Sequence, residues 1–192
     1  MLTELANTVT TLLHIVIANM QVSLYIIAAL WVINIFNWLC KGYFNRFGIL
    51  PRHFFGLVGI IFAPILHSNP EHLFFNSIPL FILSALIPVY GYTTFIHLTI
   101  FLVLASGLLT WLFGRKAIHI GASSVIMGYW SFLLTEAYKA PSMMTIIVAT
   151  IMLYYLAGMI FNLFPQSEKT SWEGHLFGFI SGIAAAFLLP MI

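Results

Sequence analysis

The sequence predicts an all-α, multi-pass membrane protein, a bundle of six helices that cross a bilayer. Three observations predict it. Of 192 residues, 61% are hydrophobic and only 6% are charged, and the mean hydropathy is +1.03. A soluble domain carries about a quarter charged residues, so this chain cannot cover a water-facing surface. Charges and Pro/Gly clusters interrupt the apolar sequence at intervals near the about 20 residues that one helical crossing needs. No polar stretch is long enough for a separate soluble domain, so residues 1–192 read as a single membrane domain. The net charge of +2 gives no support for nucleic-acid binding. A single cysteine, Cys40, excludes an internal disulfide. No short apolar core with an Ala-x-Ala cleavage site opens the chain, and the first span is expected to act as its own insertion signal.

The elements follow in order. Between Leu5 and Lys41 no formal charge intervenes, a stretch too long for one straight span. Its polar start (Asn7, Thr8, Thr10, Thr11, His14) is expected at the interface, with span one over about 22–39. Lys41, Arg46, Arg52 and His53, set among Phe and Leu, predict a first loop lying in the headgroup layer. Residues 56–66 are apolar but short and are broken by Gly59 and Pro64, which predicts a re-entrant or interfacial piece. Spans two and three are expected over about 71–90 and 93–113, then a loop carrying Arg115 and Lys116. Span four is expected over about 122–138, and Pro141 marks the start of span five, 141–164. The most polar loop, 165–173, precedes span six, 174–190. No internal repeat is visible, which argues against a transporter or channel built from repeated halves. Of the Lys and Arg residues only Lys139 lies outside the odd-numbered loops, so the positive-inside rule places those loops in the cytoplasm.

Elimination narrows the chemistry. The chain has no Asp, which excludes a protease that uses two aspartates, and no His-Glu-x-x-His zinc-peptidase helix. Cys40 has no histidine at a useful spacing, and Glu136 stands alone near the end of span four. Serine and histidine remain. Ser123 follows Gly121 and Ala122 at the first turn of span four. Helix-start N–H groups have no intrahelical acceptor, so they and the helix dipole can stabilise an oxyanion. The competing reading is that Ser123 or Ser124 only caps the helix. His175 opens span six, followed at i+3 and i+7 by Gly178 and Gly182; span four offers Ser124, Gly128 and Ser131. Two small-residue stripes let helices approach closely, which would bring His175 to Ser123 as a general base.

His72 and Asn76 share one face of span two at i, i+4. An Asn in an apolar span is costly unless hydrogen-bonded. It serves either an oxyanion or helix–helix bonding. Spans two, four and six all start on one membrane face in an up-down bundle, so these groups can converge. His67, Ser68 and Asn69 are expected to line the polar mouth and the water path, and His119 belongs to the loop before Ser123. His14, His53 and His97 are expected at the interface or in packing. A metal site from His67, His72, His119 and His175 lacks carboxylate or cysteine support, so no metal or other cofactor is expected. Glu173 is read as a solvated loop residue rather than the acid of a triad. Trp172 and Tyr129 fit an interfacial belt or core packing.

Together, His72-Leu-Phe-Phe-Asn76, Gly121-Ala-Ser123-Ser and Gly174-His175-Leu-Phe-Gly178 resemble the rhomboid intramembrane serine proteases, over the six spans from about Val22 onward. The resemblance implies a six-helix rhomboid-like bundle with an interfacial first loop. It implies Ser123 as nucleophile and His175 as general base and acid. The oxyanion hole would be His72, Asn76 and the Ser123 N–H. Gly121, Met127, Gly128, Gly178 and Gly182 would pack the dyad. The implied activity is cofactor-independent cleavage of transmembrane protein substrates within the lipid bilayer. The implied setting is the bacterial inner membrane with the site on the non-cytoplasmic side, opposite to the Lys/Arg count. The chain departs from the family pattern at Ser124, where members carry glycine and where a need for glycine freedom would mean strain. It departs again at Met127, a common tyrosine position, where the thioether is expected to pack on the histidine ring. The Trp-Arg pair of the first loop and the acidic-basic pair after span two are missing. The alternative is a catalytically inactive rhomboid-like protein that binds membrane clients. Span five, which has no proline between Thr145 and Phe164, is expected to tilt as one rod and act as a gate with the fifth loop as lid.

Overall fold

The structure, a computed structural model, describes residues 2–164 and 171–189. Lys169, the centre of the polar fifth loop and the end of span six at Pro190 lie outside the described residues. The described residues are mostly helical, with α1 (Leu2–Leu39), α2 (Gly59–Phe62), α3 (Pro70–Leu86), α4 (Tyr92–Phe113), α5 (Ser123–Lys139), α6 (Met143–Leu156) and α7 (Trp172–Leu188).

Helix α1 is one continuous element of 38 residues, about 57 Å at 1.5 Å per residue. No break separates an interfacial start from a span at Val22, because the sequence holds no Gly or Pro to make one. Its inward face is the polar one: Asn19, Ser23, Asn34 and Asn37 are buried, while Leu24, Val32, Ile35 and Phe36 point outward. The apolar face is left outward, as a helix facing lipid requires, and the polar stripe is satisfied inside. Asn19 Nδ2 bonds the Ile15 carbonyl at 2.7 Å, Ser84 Oγ donates to Ser23 Oγ at 2.9 Å and Trp31 Nε1 donates to Ser77 Oγ at 3.2 Å. The first bond lies within α1; the other two join α1 to α3, the hydrogen-bonded packing expected between helices in a bilayer.

The first loop is a chain of short helical turns, 43–47, 54–57 and α2, followed by a turn at 63–65. Re-entrant irregular backbone was expected there, and it is fastened on two sides. Ile49 and His119 exchange backbone hydrogen bonds at 3.0 and 2.9 Å. Arg52 Nη1 donates to the Leu112 carbonyl at the end of α4, and Trp111 Nε1 returns a bond to His53 O. Gly107 of α4 lets Ile60 sit against the helix: a Cβ there would come within 2.7 Å of Ile60 Cγ2.

Among the described residues, four helices are long and apolar enough to cross a membrane: α1, α3 with its continuation to Tyr90, α4, and α6 with its continuation to Phe161. The protein is an integral membrane protein of the multi-pass kind. Helices α5 and α7 have 17 residues each, at the short limit for a crossing, so length alone supports four spans rather than six. Span five is not one rod. It leaves α-helical geometry at Leu156 (φ −111°, ψ 3°) and continues as a tighter 3-10 turn over 157–163. Glu136 is paired with a lysine: Lys139 Nζ donates to its Oε1 at 2.8 Å and also to the Ala186 carbonyl of α7.

Candidate active site

Helix α5 is the central rod, with Tyr129, Trp130 and Phe132 fully buried. Its partner is α7, and the small-residue stripes dictate their approach. A Cβ on Gly178 would lie 2.1 Å from the Ser124 carbonyl oxygen, and one on Gly182 would lie 2.0 Å from that of Gly128. Ser131 Oγ donates to the Phe179 carbonyl at 2.7 Å, a bond possible only at this separation. Ser124, Gly128 and Ser131 of α5 thus lie against Gly178, Phe179 and Gly182 of α7.

Ser123 is the first residue of α5 and partly exposed. The N-cap position is Ala122, with no side-chain capping bond, so neither Ser123 nor Ser124 is the cap. Ser124 lies within the helix and has no positive φ, so glycine freedom is not needed there. It is needed at Gly121, whose φ is +120°. A side chain at Gly121 would also collide with His72: its Cβ would come within 2.8 Å of both Cε1 and Nε2 and 3.5 Å of Asn76 Nδ2. His72 and Asn76 therefore face the turn that presents Ser123. Asn76 is buried, and its Nδ2 has no acceptor among the described residues.

His175 is buried in the first turn of α7, three residues before the Gly178 that packs on the Ser124 backbone. The helix starts of α3, α5 and α7 thus bring His72, Asn76, Ser123 and His175 to one end of the bundle. A cavity of about 20 Å³ beside Ser123 and Ser124, bordered by Gly121, His119 and Ser171, is large enough for one water molecule. Met127 is fully buried.

Two histidines hold this site from outside it. His67 does not line an open mouth; it is fully buried. Its backbone N–H donates to Asn34 Oδ1 at 2.7 Å, and Asn34 Nδ2 donates to the Ile65 carbonyl at 2.9 Å. The ring accepts the Ala122 N–H at Nε2, 3.4 Å away. Burial, then the neighbouring His72, push the His67 imidazole down to about 3, which keeps Nε2 free to accept. His119 is buried as well: Nδ1 meets Ser171 Oγ at 2.5 Å and Nε2 meets the Arg115 carbonyl at 3.1 Å. Burial lowers its basicity, against the opposing pull of that carbonyl. Ser68 Oγ lies 3.3 Å from His72 Nδ1, and Asn69 caps α3 through the His72 N–H.

Glu173 departs from expectation. It belongs to α7, is buried, and its Oε1 accepts the Arg115 N–H at 3.3 Å and faces Arg115 Nε at 3.6 Å. The loop before α5 needs an anion there, and the first turn of a helix favours one. Sequence reasoning missed Asn34. The signal was present, a buried-type polar residue in an apolar span, the same signal that singled out Asn76.

A rhomboid domain profile matches residues 54–191; α1 lies before it. An uncharacterized protein of Mycobacterium tuberculosis is 34% identical over 172 residues, which covers 85% of this chain and 72% of the relative. One of Mycobacterium leprae is 34% identical over 171 residues, 84% and 68% of the two chains. A protein of Acanthamoeba polyphaga mimivirus, named as a rhomboid protein, is 28% identical over 152 residues, 73% and 82% of the two.

Proposed function

The chain belongs to the rhomboid family, and from that premise we propose that it is an intramembrane serine endopeptidase acting on transmembrane protein substrates. Ser123 Oγ attacks the scissile carbonyl while His175 takes its proton; His175 then protonates the leaving amine, and water hydrolyses the acyl-enzyme by the reverse roles. His72, Asn76 and the Ser123 N–H receive the oxyanion. The observation that carries the reading is the Asn76 amide, buried beside Gly121 with its Nδ2 unpartnered among the described residues. A donor kept without an acceptor in the resting bundle fits a group waiting for a charge that exists only during reaction. Six spans, a bacterial inner-membrane setting and a site facing the non-cytoplasmic side complete the reading.

The test is cleavage of a transmembrane substrate in liposomes by wild type, Ser123→Ala and His175→Ala, with fluorophosphonate labelling of Ser123 alongside. Wild type alone should give product, and label should attach at Ser123. Equal product from all three proteins would end the proteolytic assignment and leave a client-binding rhomboid-like protein.

A further inference from the structure

A second concave site lies away from Ser123, between the C-terminal end of α1 and the first loop. It is a cavity of about 450 Å³ walled by Ile33, Phe36, Phe44, Phe47, Val58 and Phe62 among others. Asn37 is its one polar wall residue, and both ends of that amide are already used: Nδ2 donates to Asn45 Oδ1 at 2.8 Å, and Oδ1 accepts the Phe44 N–H at 3.0 Å. The wall offers water nothing, and cavities of this kind stay dry or hold apolar guests. The mouth opens sideways, because Phe36 is 58% exposed and Phe47, Val58 and Phe62 are also exposed.

The rim carries unneutralised positive charge. Lys41 and Gly42 adopt positive φ and turn the chain back over the end of α1. Arg46 then lies with its guanidinium 3.5 Å from the Tyr43 ring centroid and 5.4 Å from that of Phe47, a wall residue of the cavity. Arg46 is exposed and has no carboxylate within ion-pair distance among the described residues. A flat guanidinium fixed on aromatic rings suits a phosphate.

We infer that this cavity binds an anionic phospholipid, with one acyl chain filling the apolar space and the phosphate meeting Arg46 and Lys41. The size selects the guest. About 450 Å³ of apolar space accommodates the flexible tail of one lipid. A substrate helix about 10 Å across would need far more room. The height agrees as well: α1 ends at Leu39, six residues beyond Ile33, about 9 Å along the helix axis, and Lys41 follows in the turn, which sets charge at the end of the helix and the cavity beneath it.

The experiment uses the full chain in phosphatidylcholine vesicles doped with phosphatidylglycerol carrying a diazirine at the end of one acyl chain, and in parallel with the same probe on phosphatidylcholine. After illumination, labelled peptides are mapped. The phosphatidylglycerol probe should label residues 44–47 and 58–66 several-fold above the lipid-facing Tyr154–Tyr155 surface. Arg46→Gln, an exposed change that leaves the core intact, should lower that label several-fold. Val58→Trp, which fills the cavity, should abolish it. Uniform labelling around the bundle, equal labelling by both headgroups, or no response to Arg46→Gln would each overturn the site. So would a transmembrane substrate peptide that displaces the probe competitively.

Discussion

Replacing Gly178 with alanine tests how the site is assembled, because the obstacle is backbone. The added Cβ would stand 2.1 Å from the Ser124 carbonyl oxygen and 2.8 Å from Ser124 Cα. Non-bonded heavy atoms attract best from about 3.5 Å outward, so α7 must retreat from α5 by roughly 1.4 Å at this level. No side chain can swing aside to absorb the change. Overpacking of this kind costs about 1–3 kcal/mol. The retreat occurs one turn from His175 on α7 and one residue from Ser123 on α5. A displacement of about 1 Å between reacting groups costs about 10²-fold in rate. Gly158→Ala is the control, since a Cβ there meets nothing within 4 Å; it should change stability by less than about 0.5 kcal/mol. Thermal unfolding in one detergent, with substrate cleavage measured on the folded fraction, reads both effects. If Gly178→Ala melts and cleaves like wild type, the close α5–α7 approach does not set the Ser123–His175 geometry.

The other predictions separate chemistry from scaffold. Asn76→Ala should lower the cleavage rate by about 10²–10³ and leave the unfolding temperature equal or higher, since the lost amide nitrogen had no acceptor; a large drop in stability with unchanged rate would reverse that assignment. His67 is held down to about 3 in the fold, while an unfolded histidine titrates near 6.5. Only the unfolded chain then takes up its proton, so stability is full above about pH 6.5 and falls by up to about 1.4 kcal/mol per pH unit on acidification toward 3. His67→Gln should flatten this loss between pH 6.5 and 5, above the range of most carboxylates, and an identical slope in both proteins would contradict it. Glu173→Gln should cost about 1 kcal/mol through its part-exposed Arg115 partner and slow cleavage less than tenfold; removing a triad acid costs about 10⁴, so a loss of that size would make Glu173 a member of the catalytic set.

Much of this arrangement is legible without coordinates because helices in lipid leave simple marks. Small residues at i+3, i+4 and i+7 announce a close helix pair, and Gly178 and Gly182 meet the Ser124, Gly128 and Ser131 stripe accordingly. The positions of α3, α4 and α5 follow from charges and prolines that end each apolar run. The length of α1 does not follow, since hydropathy reads its whole course as apolar and nothing local ends it. Its orientation was nonetheless written in the spacing of Asn19, Ser23, Asn34 and Asn37, which fall on one helical face. What sequence could not supply is long-range pairing. Glu173 has the look of a loop residue until the Arg115 loop, 58 positions away, closes over it. His67 likewise looks like a mouth residue until Asn34 and Ala122 enclose it.

The buried asparagines make the strongest internal comparison. Those of α1 all have their amide nitrogens bonded: Asn19 to Ile15, Asn34 to Leu30 and Ile65, Asn37 to Asn45. The same chain, under the same pressure to satisfy polar groups away from water, leaves Asn76 Nδ2 without an acceptor among the described residues. An unsatisfied buried donor costs about 1–3 kcal/mol, enough to matter in a fold of marginal stability. A leucine would pack there at no such cost. Asn76 also lies where Gly121 adopts φ +120° and leaves no room for a Cβ against His72. Two local departures from good folding practice, an idle amide and a glycine-only turn, therefore meet at the residue before the Ala122–Ser123 helix start. Trp130 Nε1 is also buried without a partner among the described residues, but only at Asn76 does an idle donor coincide with a glycine-only turn, and departures of this sort concentrate where a protein does chemistry.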